Sequence, residues 1–315
     1  MPRGASLLVR HSRLAAMNRP HQEGRNVIIR PMLKANLAIA FLFAVSASAA
    51  DLWQSVDGIL KQQGKVVAGN VHRYGFPRRD LKVTIGRIRI EPALALGSWA
   101  AFSSDMVMGD LVLLPKEVEP VVRTLQYGGI DISAIHNHLL DESPPIAYVH
   151  YSGHGDPSAL AQTLAKALAT TRTPMTPAAP AKADKNDEAA FATISTVLQR
   201  QGSVNGRVLQ FSIPRAEAIT DDTVAIPPTM GVATAVNFQR DGDNVATSGD
   251  FVLIASEVNP VVRDLEAHGI RVTAIHSHML RESPRLFFLH FWGSGAPKEI
   301  ADAIRLALAK TNVAR

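Results

Sequence analysis

The chain has 315 residues, 46 % of them hydrophobic, and no cysteine. This is the composition of a folded chain long enough for one large domain or two ordinary ones, and it excludes disulfides and thiolate chemistry, so any metal must sit on histidine and carboxylate groups. The net charge of +5 arises in residues 1–50, where six arginines and Lys34 face only Glu23; the remainder sums to −1, which leaves no broad basic surface for a nucleic-acid partner.

Lys34 precedes the apolar run 37–45, and Ser46-Ala47-Ser48-Ala49-Ala50 follows. A positive segment, an apolar core and small residues are the parts of a signal peptide, with cleavage expected near Ala49 or Ala50. Residues 1–31 fit no part of one, so Met32 is the expected start, a retained N-terminal anchor being the alternative. The run is too short for a stable membrane span. The mature chain is expected to be periplasmic or secreted, and no cysteine follows the run to carry a lipid.

After the leader, residues 52–60 have helical spacing, with Leu52, Val56, Ile59 and Leu60 on one face, and Gly64 ends the helix. Val71–Phe76 reads as a strand, and residues 83–85 and 88–90 as a hairpin about Gly86. Residues 94–102 carry the small residues Gly97, Ser98, Ala100 and Ala101 around Trp99, a core candidate. Residues 106–114 are too apolar for a half-exposed strand and are expected to be central. A helix follows over 116–125, with Pro120 placed in about its first turn. Strands over 130–140 and 146–151 are joined at Pro144-Pro145. Asp156 and Pro157 are the N-cap and first residue of a last helix carrying Leu160, Leu164 and Leu168. From Met106 the order is strand, helix, strand, strand, helix: most of a ferredoxin-like split unit.

Residues 171–190 read as a linker of Thr, Pro, Ala, Lys and Asp, after which the pattern repeats. Gly249–Ile254 answers Gly109–Leu114, and Glu257–Arg263 answers Glu117–Arg123. The expected fold is therefore α+β, two tandem α/β-sandwich repeats (51–170 and 191–315) with ferredoxin-like elements about a pseudo-two-fold axis, as a monomer or homodimer.

The densest pattern is His136-Asn137-His138, then Glu142 and His150; it returns 140 residues later as His276-Ser277-His278, Glu282 and His290. Residues i and i+2 of a strand share a face, so His136 and His138 project together, and the returning strand brings His150 beside them. Ile135 and Ile275 then fall on the opposite, buried face. His136, His138, Glu142 and His150 are one candidate ligand set and His276, His278, Glu282 and His290 the other, suited to a divalent transition metal: zinc first, with manganese, iron or nickel as alternatives. Glu142 and Glu282 are also the candidate general bases on bound water, or else outer partners or turn caps. Histidines in a polar core network are the competing account. Asp110 and Asp250 face the site or cap the strand. Arg78, Arg215, Arg123 and Arg263 recur and are expected to form ordinary ion pairs. His72, His154 and His268 are expected at the periphery.

Gly97–Ala100, Val107–Leu113, Ala134–Pro144 and Gly153–Pro157 resemble the LppY/LpqO family of secreted or lipid-anchored bacterial proteins, twice over nearly the whole mature chain. The resemblance implies a duplicated exported protein but no particular activity. The His-x-His-x3-Glu segment is also similar to the first metal motif of cupins, as a chemical analogy only, since the third histidine comes too soon and the helices do not suit a jelly roll. Three functions remain open: an exported metal-dependent hydrolase or lyase, a noncatalytic module binding a metal, a small molecule or an envelope ligand, and a structural domain with a polar histidine core.

Overall fold

The computed structural model describes residues 49–177, 179 and 181–314. The signal-peptide expectation over residues 1–50 lies outside them except for Ala49 and Ala50, which begin the first helix. The first repeat runs α1 (Ala49–Leu60), β1 (Lys65–Val67), β2 (Val71–Pro77), β3 (Thr84–Ile85), β4 (Ile88–Arg89), α2 (Pro92–Ala95), β5 (Gly97–Ser103), β6 (Met106–Leu113), α3 (Pro115–Tyr127), β7 (Asp131–His136), β8 (Glu142–Ser143), β9 (Ala147–His154) and α4 (Pro157–Leu168). The second runs α5 (Lys185–Leu198), β10 (Ser203–Asn205), β11 (Val208–Pro214), β12 (Thr220–Asp221), β13 (Val224–Ala225), a 3-10 turn (Pro228–Met230), β14 (Ala233–Asp241), β15 (Asn244–Leu253), α6 (Ala255–Ala267), β16 (Arg271–His276), β17 (Glu282–Ser283), β18 (Phe287–Gly295) and α7 (Pro297–Leu308).

Each repeat builds one large antiparallel sheet, in the order β1-β2-β5-β6-β9-β7 or β10-β11-β14-β15-β18-β16, and one small sheet, β4-β3-β8 or β13-β12-β17. Since β9 pairs antiparallel with both β6 and β7, those two run parallel with β9 between them. This is the split β-α-β unit expected from the sequence. The strand beyond β6 is supplied by the preceding hairpin partner β5, not by a strand after α4.

The alternation of side chains on each strand explains the layering. On β6, Val107, Leu111 and Leu113 pack under the helices with Val56, Leu60, Val121, Leu125, Leu160 and Leu164. Met106, Met108, Asp110 and Val112 face the other way. Both faces are covered, so every residue of β6 is buried, as its apolar run predicts. In the second repeat Phe251, Leu253, Leu289 and Phe291 turn to α5 and α7, while Val252 and Phe288 turn inward. The two inner faces meet. Met106 and Met108 share a buried cluster with Met230, Val252, Met279 and Phe288, and Leu139 and Tyr148 share another with Val208, Ala246 and Trp292. The order of layers is thus helix, sheet, sheet, helix, with no strand shared between repeats among the described residues.

Several local expectations are corrected. The segment around Trp99 is strand β5, and Trp99 packs against Gly231 of the other repeat with the Arg73 guanidinium 4.5 Å over its ring. The strand expected over 130–140 stops at His136, because the chain then turns to pair Glu142–Ser143 with β3. Pro120 is the sixth residue of α3, inside the helix, where it removes the bond that the Lys116 carbonyl would receive. Helix α5 begins at Lys185, within the expected linker, since Asp184 accepts from the amides of Asn186 and Asp187 and closes a capping box. Ile135 and Ile275 are 56 % and 47 % exposed. They do lie opposite the histidines, but on edge strands, where Ile135 only lines a surface groove with Val118, Val122 and Tyr127 of α3.

Candidate metal centre between the repeats

The parity that sends Met108 and Val112 inward sends Asp110 inward with them. Asp110 pairs across the sheet with His150, and His150 with Ala134, so His136, two residues on, lies beside Tyr148 on the same inner face. His138 follows in the turn, held down by the fully buried Leu139. The second repeat does the same with Asp250, His276, His278 and His290. Two hairpins of this kind face each other, and their imidazoles pack in three cross-repeat pairs, two stacked and the third, His150 with His278, tilted by 31°. His136 lies on His276, His138 on His290, and His150 on His278, each with centroids 3.7 Å apart. Tyr148 and Phe288 close the two ends, stacked on His138 and His278 at 3.5 and 3.4 Å. Two cross-links fix the register: Ser133 Oγ donates to the His278 carbonyl at 2.6 Å and Thr273 Oγ1 to the His138 carbonyl at 2.7 Å.

The sequence suggests one site per hairpin; the structure joins all six histidines in one centre. Three overlapping groups could hold a metal: His136, His150, His276 and His290 in the middle, Asp110, His138 and His150 on one side, and Asp250, His278 and His290 on the other. Glu142 and Glu282, the glutamates expected as ligands or bases, belong to none of these groups. Glu142 Oε1 accepts from the Ile146 amide at 3.1 Å and Glu282 Oε1 from the Leu286 amide at 3.0 Å, and Glu282 also pairs with Arg285. They brace the turns that present the histidines. The carboxylates in their place are Asp110 and Asp250, marked in the sequence by their recurrence after glycine; only the sheet register shows which way they face. Glycine is required there: a Cβ on Gly109 would meet the Trp99 carbonyl at 2.3 Å, and one on Gly249 the Ala235 carbonyl at 2.1 Å.

The other recurring charges are structural. Arg78 pairs with Asp80 and Glu117, and Arg215 with Glu217 and Glu257, all under the helices. Arg123 pairs with Glu119 on the surface. His72 stacks on Trp53, the half-exposed His154 lies 3.8 Å from Asp221, and His268 ends α6 with Nδ1 on the Asp264 carbonyl.

The electrostatics of the centre suit a cation. Burial, reinforced by neighbouring histidines, holds His136, His138, His150 and His290 well below the ordinary imidazole range. Burial also lowers His276 to about 3 and His278 to about 4. It raises Asp110 to about 7, against the pull of His278, and raises Asp250. The rings are therefore neutral and carry lone pairs. Where those lone pairs point can be read in the second repeat. Nδ1 of His278 lies 3.1 Å from the Gly231 carbonyl, and Nδ1 of His290 lies 3.0 Å from that of Gly249. A carbonyl only accepts, so both Nδ1 atoms carry the proton and both Nε2 atoms are acceptors. His278 Nε2 faces Asp250 Oδ2 at 3.2 Å, which with the carboxylate ionised sets acceptor against acceptor. Among the described residues, eight of the eleven buried side-chain polar atoms without a hydrogen-bond partner belong to Asp110, Asp250 and five of these histidines. Such groups are costly to bury unless something binds them, and imidazole with carboxylate is a divalent-metal donor set.

No curated protein and no solved structure matches the chain. A family model does, described as Domain of Unknown Function (DUF1259), once over residues 54–170 and again over 192–310. With two matches that cover most of its length and carry the two halves of the histidine centre, the chain belongs to this family and consists of two tandem copies of its domain.

Proposed function

We propose that this is a metal-binding protein whose centre, built jointly by the two repeats, takes a divalent transition metal, zinc foremost. The observation that carries this reading is the concentration of buried nitrogen and oxygen atoms without hydrogen-bond partners on the facing histidines and aspartates. His136, His150, His276 and His290 offer four neutral imidazoles, a closed ligand set of the kind that holds a metal without exposing it to chemistry. The test is the metal content of the chain, expressed without a histidine tag, by elemental mass spectrometry, alongside His150→Ala/His290→Ala. Stoichiometric metal lost in the double variant supports the reading. No metal after reconstitution with Zn²⁺, Mn²⁺, Fe²⁺ and Ni²⁺ would leave a polar histidine core instead.

A metal-dependent hydrolase or lyase is the second reading, favoured by a different observation. Asp110, His138 and His150 form a set of two histidines and one carboxylate, the ligand number that leaves a position for water. A metal there would supply a bound water of lowered pKa. Hydrolysis of activated carboxylic and phosphate esters by the zinc-loaded chain, abolished by Asp110→Asn, is its test. We also propose export to the periplasm or medium, from the charged, apolar and small-residue order of residues 34–50 and the LppY/LpqO resemblance. N-terminal sequencing of the exported chain checks it.

A further inference from the structure

The three candidate groups are not three independent sites. His150 belongs to the middle group and to the Asp110 side, and His290 to the middle group and to the Asp250 side. An imidazole gives a metal one lone pair unless it is deprotonated, and His290 has its Nδ1 committed to the Gly249 carbonyl, leaving only Nε2. A ring that ligates in the middle is therefore unavailable at the side.

One edge of the middle group has the length that a single tetrahedral ion requires, and its four ligand nitrogens all lie within 4.8 Å of one another. Four nitrogens at 2.0–2.1 Å from a zinc stand about 3.3–3.4 Å apart along each tetrahedral edge. The Nε2 atoms of His136 and His290 are 3.3 Å apart. The sides have a different chemistry. Each has one aspartate facing two histidines: in the first repeat a single oxygen, Asp110 Oδ2, at 3.3 and 3.9 Å from His138 and His150, and in the second Asp250 Oδ2 at 3.2 Å from His278 and Oδ1 at 4.0 Å from His290. The middle group draws two residues from each repeat, whereas each side group lies within one repeat.

Resting on the metal-binding reading, we infer that the centre has two exclusive modes of filling: one ion held by His136, His150, His276 and His290, or two ions held separately by Asp110/His138/His150 and Asp250/His278/His290. At limiting zinc the four-imidazole mode wins, because it offers an extra ligand per ion and all-nitrogen donors. At excess zinc the second ion is admitted only as the first moves aside, and three ions are never bound. The two-ion mode leaves His136 and His276 out, stacked on each other.

The experiment is native mass spectrometry of the full untagged chain titrated with zinc alone, with circular dichroism to confirm that each variant is folded. The unaltered chain should carry one ion at one equivalent and two at tenfold excess. Asp110→Asn/Asp250→Asn should hold the first ion unchanged and weaken the second at least about 100-fold, beyond the cost of losing an outer partner. His136→Ala/His276→Ala should do the reverse, weakening the first ion about 100-fold and leaving the two-ion form at excess zinc. Three bound ions, a second ion indifferent to the aspartate variant, or a first ion indifferent to His136→Ala/His276→Ala would overturn the inference. A ceiling of one ion in the unaltered chain would overturn it while leaving the metal-binding reading standing. No bound zinc at all would overturn both.

Discussion

The two repeats agree at the histidine centre and differ where they face solvent. Across the inner faces, six histidines and two aspartates recur at an offset of 140 residues, and the cross-links Ser133–His278 and Thr273–His138 mirror one another. Outside, α4 is capped by Asp156, whereas α7 has Ala296 at that place and no side-chain cap. Helix α5 is anchored by Asp184 and Asp187, which bind Arg207 and Arg240. Exposed positions even reverse sign: Asp141 pairs with Arg271 across the interface, while its counterpart Arg281 pairs with Asp222 of its own repeat. On a surface each residue meets mostly water and can change singly. At a pseudo-two-fold centre each ring packs on a ring of the other repeat, so a change on one side alters both.

The largest expected effect tests that joint construction. Removing His150 and His290 together takes two rings from the middle group and one from each side group. Zinc at 1,000 times its Kd stabilises a folded protein by about 4 kcal/mol. His150→Ala/His290→Ala should lose all of that increment, seen as a denaturation midpoint no longer raised by zinc. The single variants sharpen the comparison. His290 is oriented by the Gly249 carbonyl and His278 by that of Gly231, bonds the first repeat does not show for His138 or His150 among the described residues. His290→Ala should therefore weaken zinc about tenfold more than His150→Ala.

Next in size is a pair of variants expected to behave alike. Arg78 is fully buried and bonds Glu117, Asp80 and the Val112 carbonyl; Arg215 bonds Glu257, Glu217 and the Val252 carbonyl. Each glutamate also caps its own helix and receives the amide of Arg172 or Asn312, tying down the chain after α4 or α7. Arg78→Met and Arg215→Met each strand a carboxylate under a helix and should cost about 3–5 kcal/mol. Urea denaturation checks this; a cost in one repeat and none in the other would break the equivalence.

Much of this was legible in the chain itself. The duplication, the central β6, the split β-α-β unit and the capped start of α4 follow from periodicity and caps, which are local. The histidines were legible as a group because i and i+2 on a strand share a face. Which group they form was not. The partners of His136 include His276 and His290, more than a hundred residues away, and nothing local says that two hairpins stack face to face. For the same reason Glu142 drew attention as a ligand: it stands at ligand spacing, but the turn amide of Ile146 claims it. Asp110, buried within an otherwise apolar strand, was the stronger signal.

A smaller effect separates the repeats by pH. Asp187 is buried, which works to raise its pKa, but Arg207, the Asp184 amide and Arg240 outweigh burial and hold it at about 2. A carboxyl lower in the folded chain than in the unfolded one stabilises above the unfolded value near 4, and that stability is lost as pH falls toward 2. The contribution is about 2 kcal/mol. Between pH 6 and pH 3 the parent should lose more stability than Asp187→Asn, in paired urea titrations. Among the described residues α1 has no arginine-bound counterpart of this pair: its Asp57 accepts from the Gly64 amide and the Tyr74 hydroxyl instead.

The smallest effect lies at the seam. Ser133→Ala and Thr273→Val each remove a hydroxyl that donates across the repeats, leaving the His278 or His138 carbonyl without that bond. Each should cost about 1 kcal/mol, the net worth of one partly buried hydrogen bond. The more telling quantity is their effect on zinc. These bonds place the turns that carry His138 and His278, which serve only the side groups and not the middle one. Each substitution should therefore leave the first zinc unchanged and weaken the second about tenfold, by the logic that outer partners orient ligands. Equal weakening of both ions would mean that the hydroxyls hold the two sheets together as a whole, and that the seam does not distinguish middle from side.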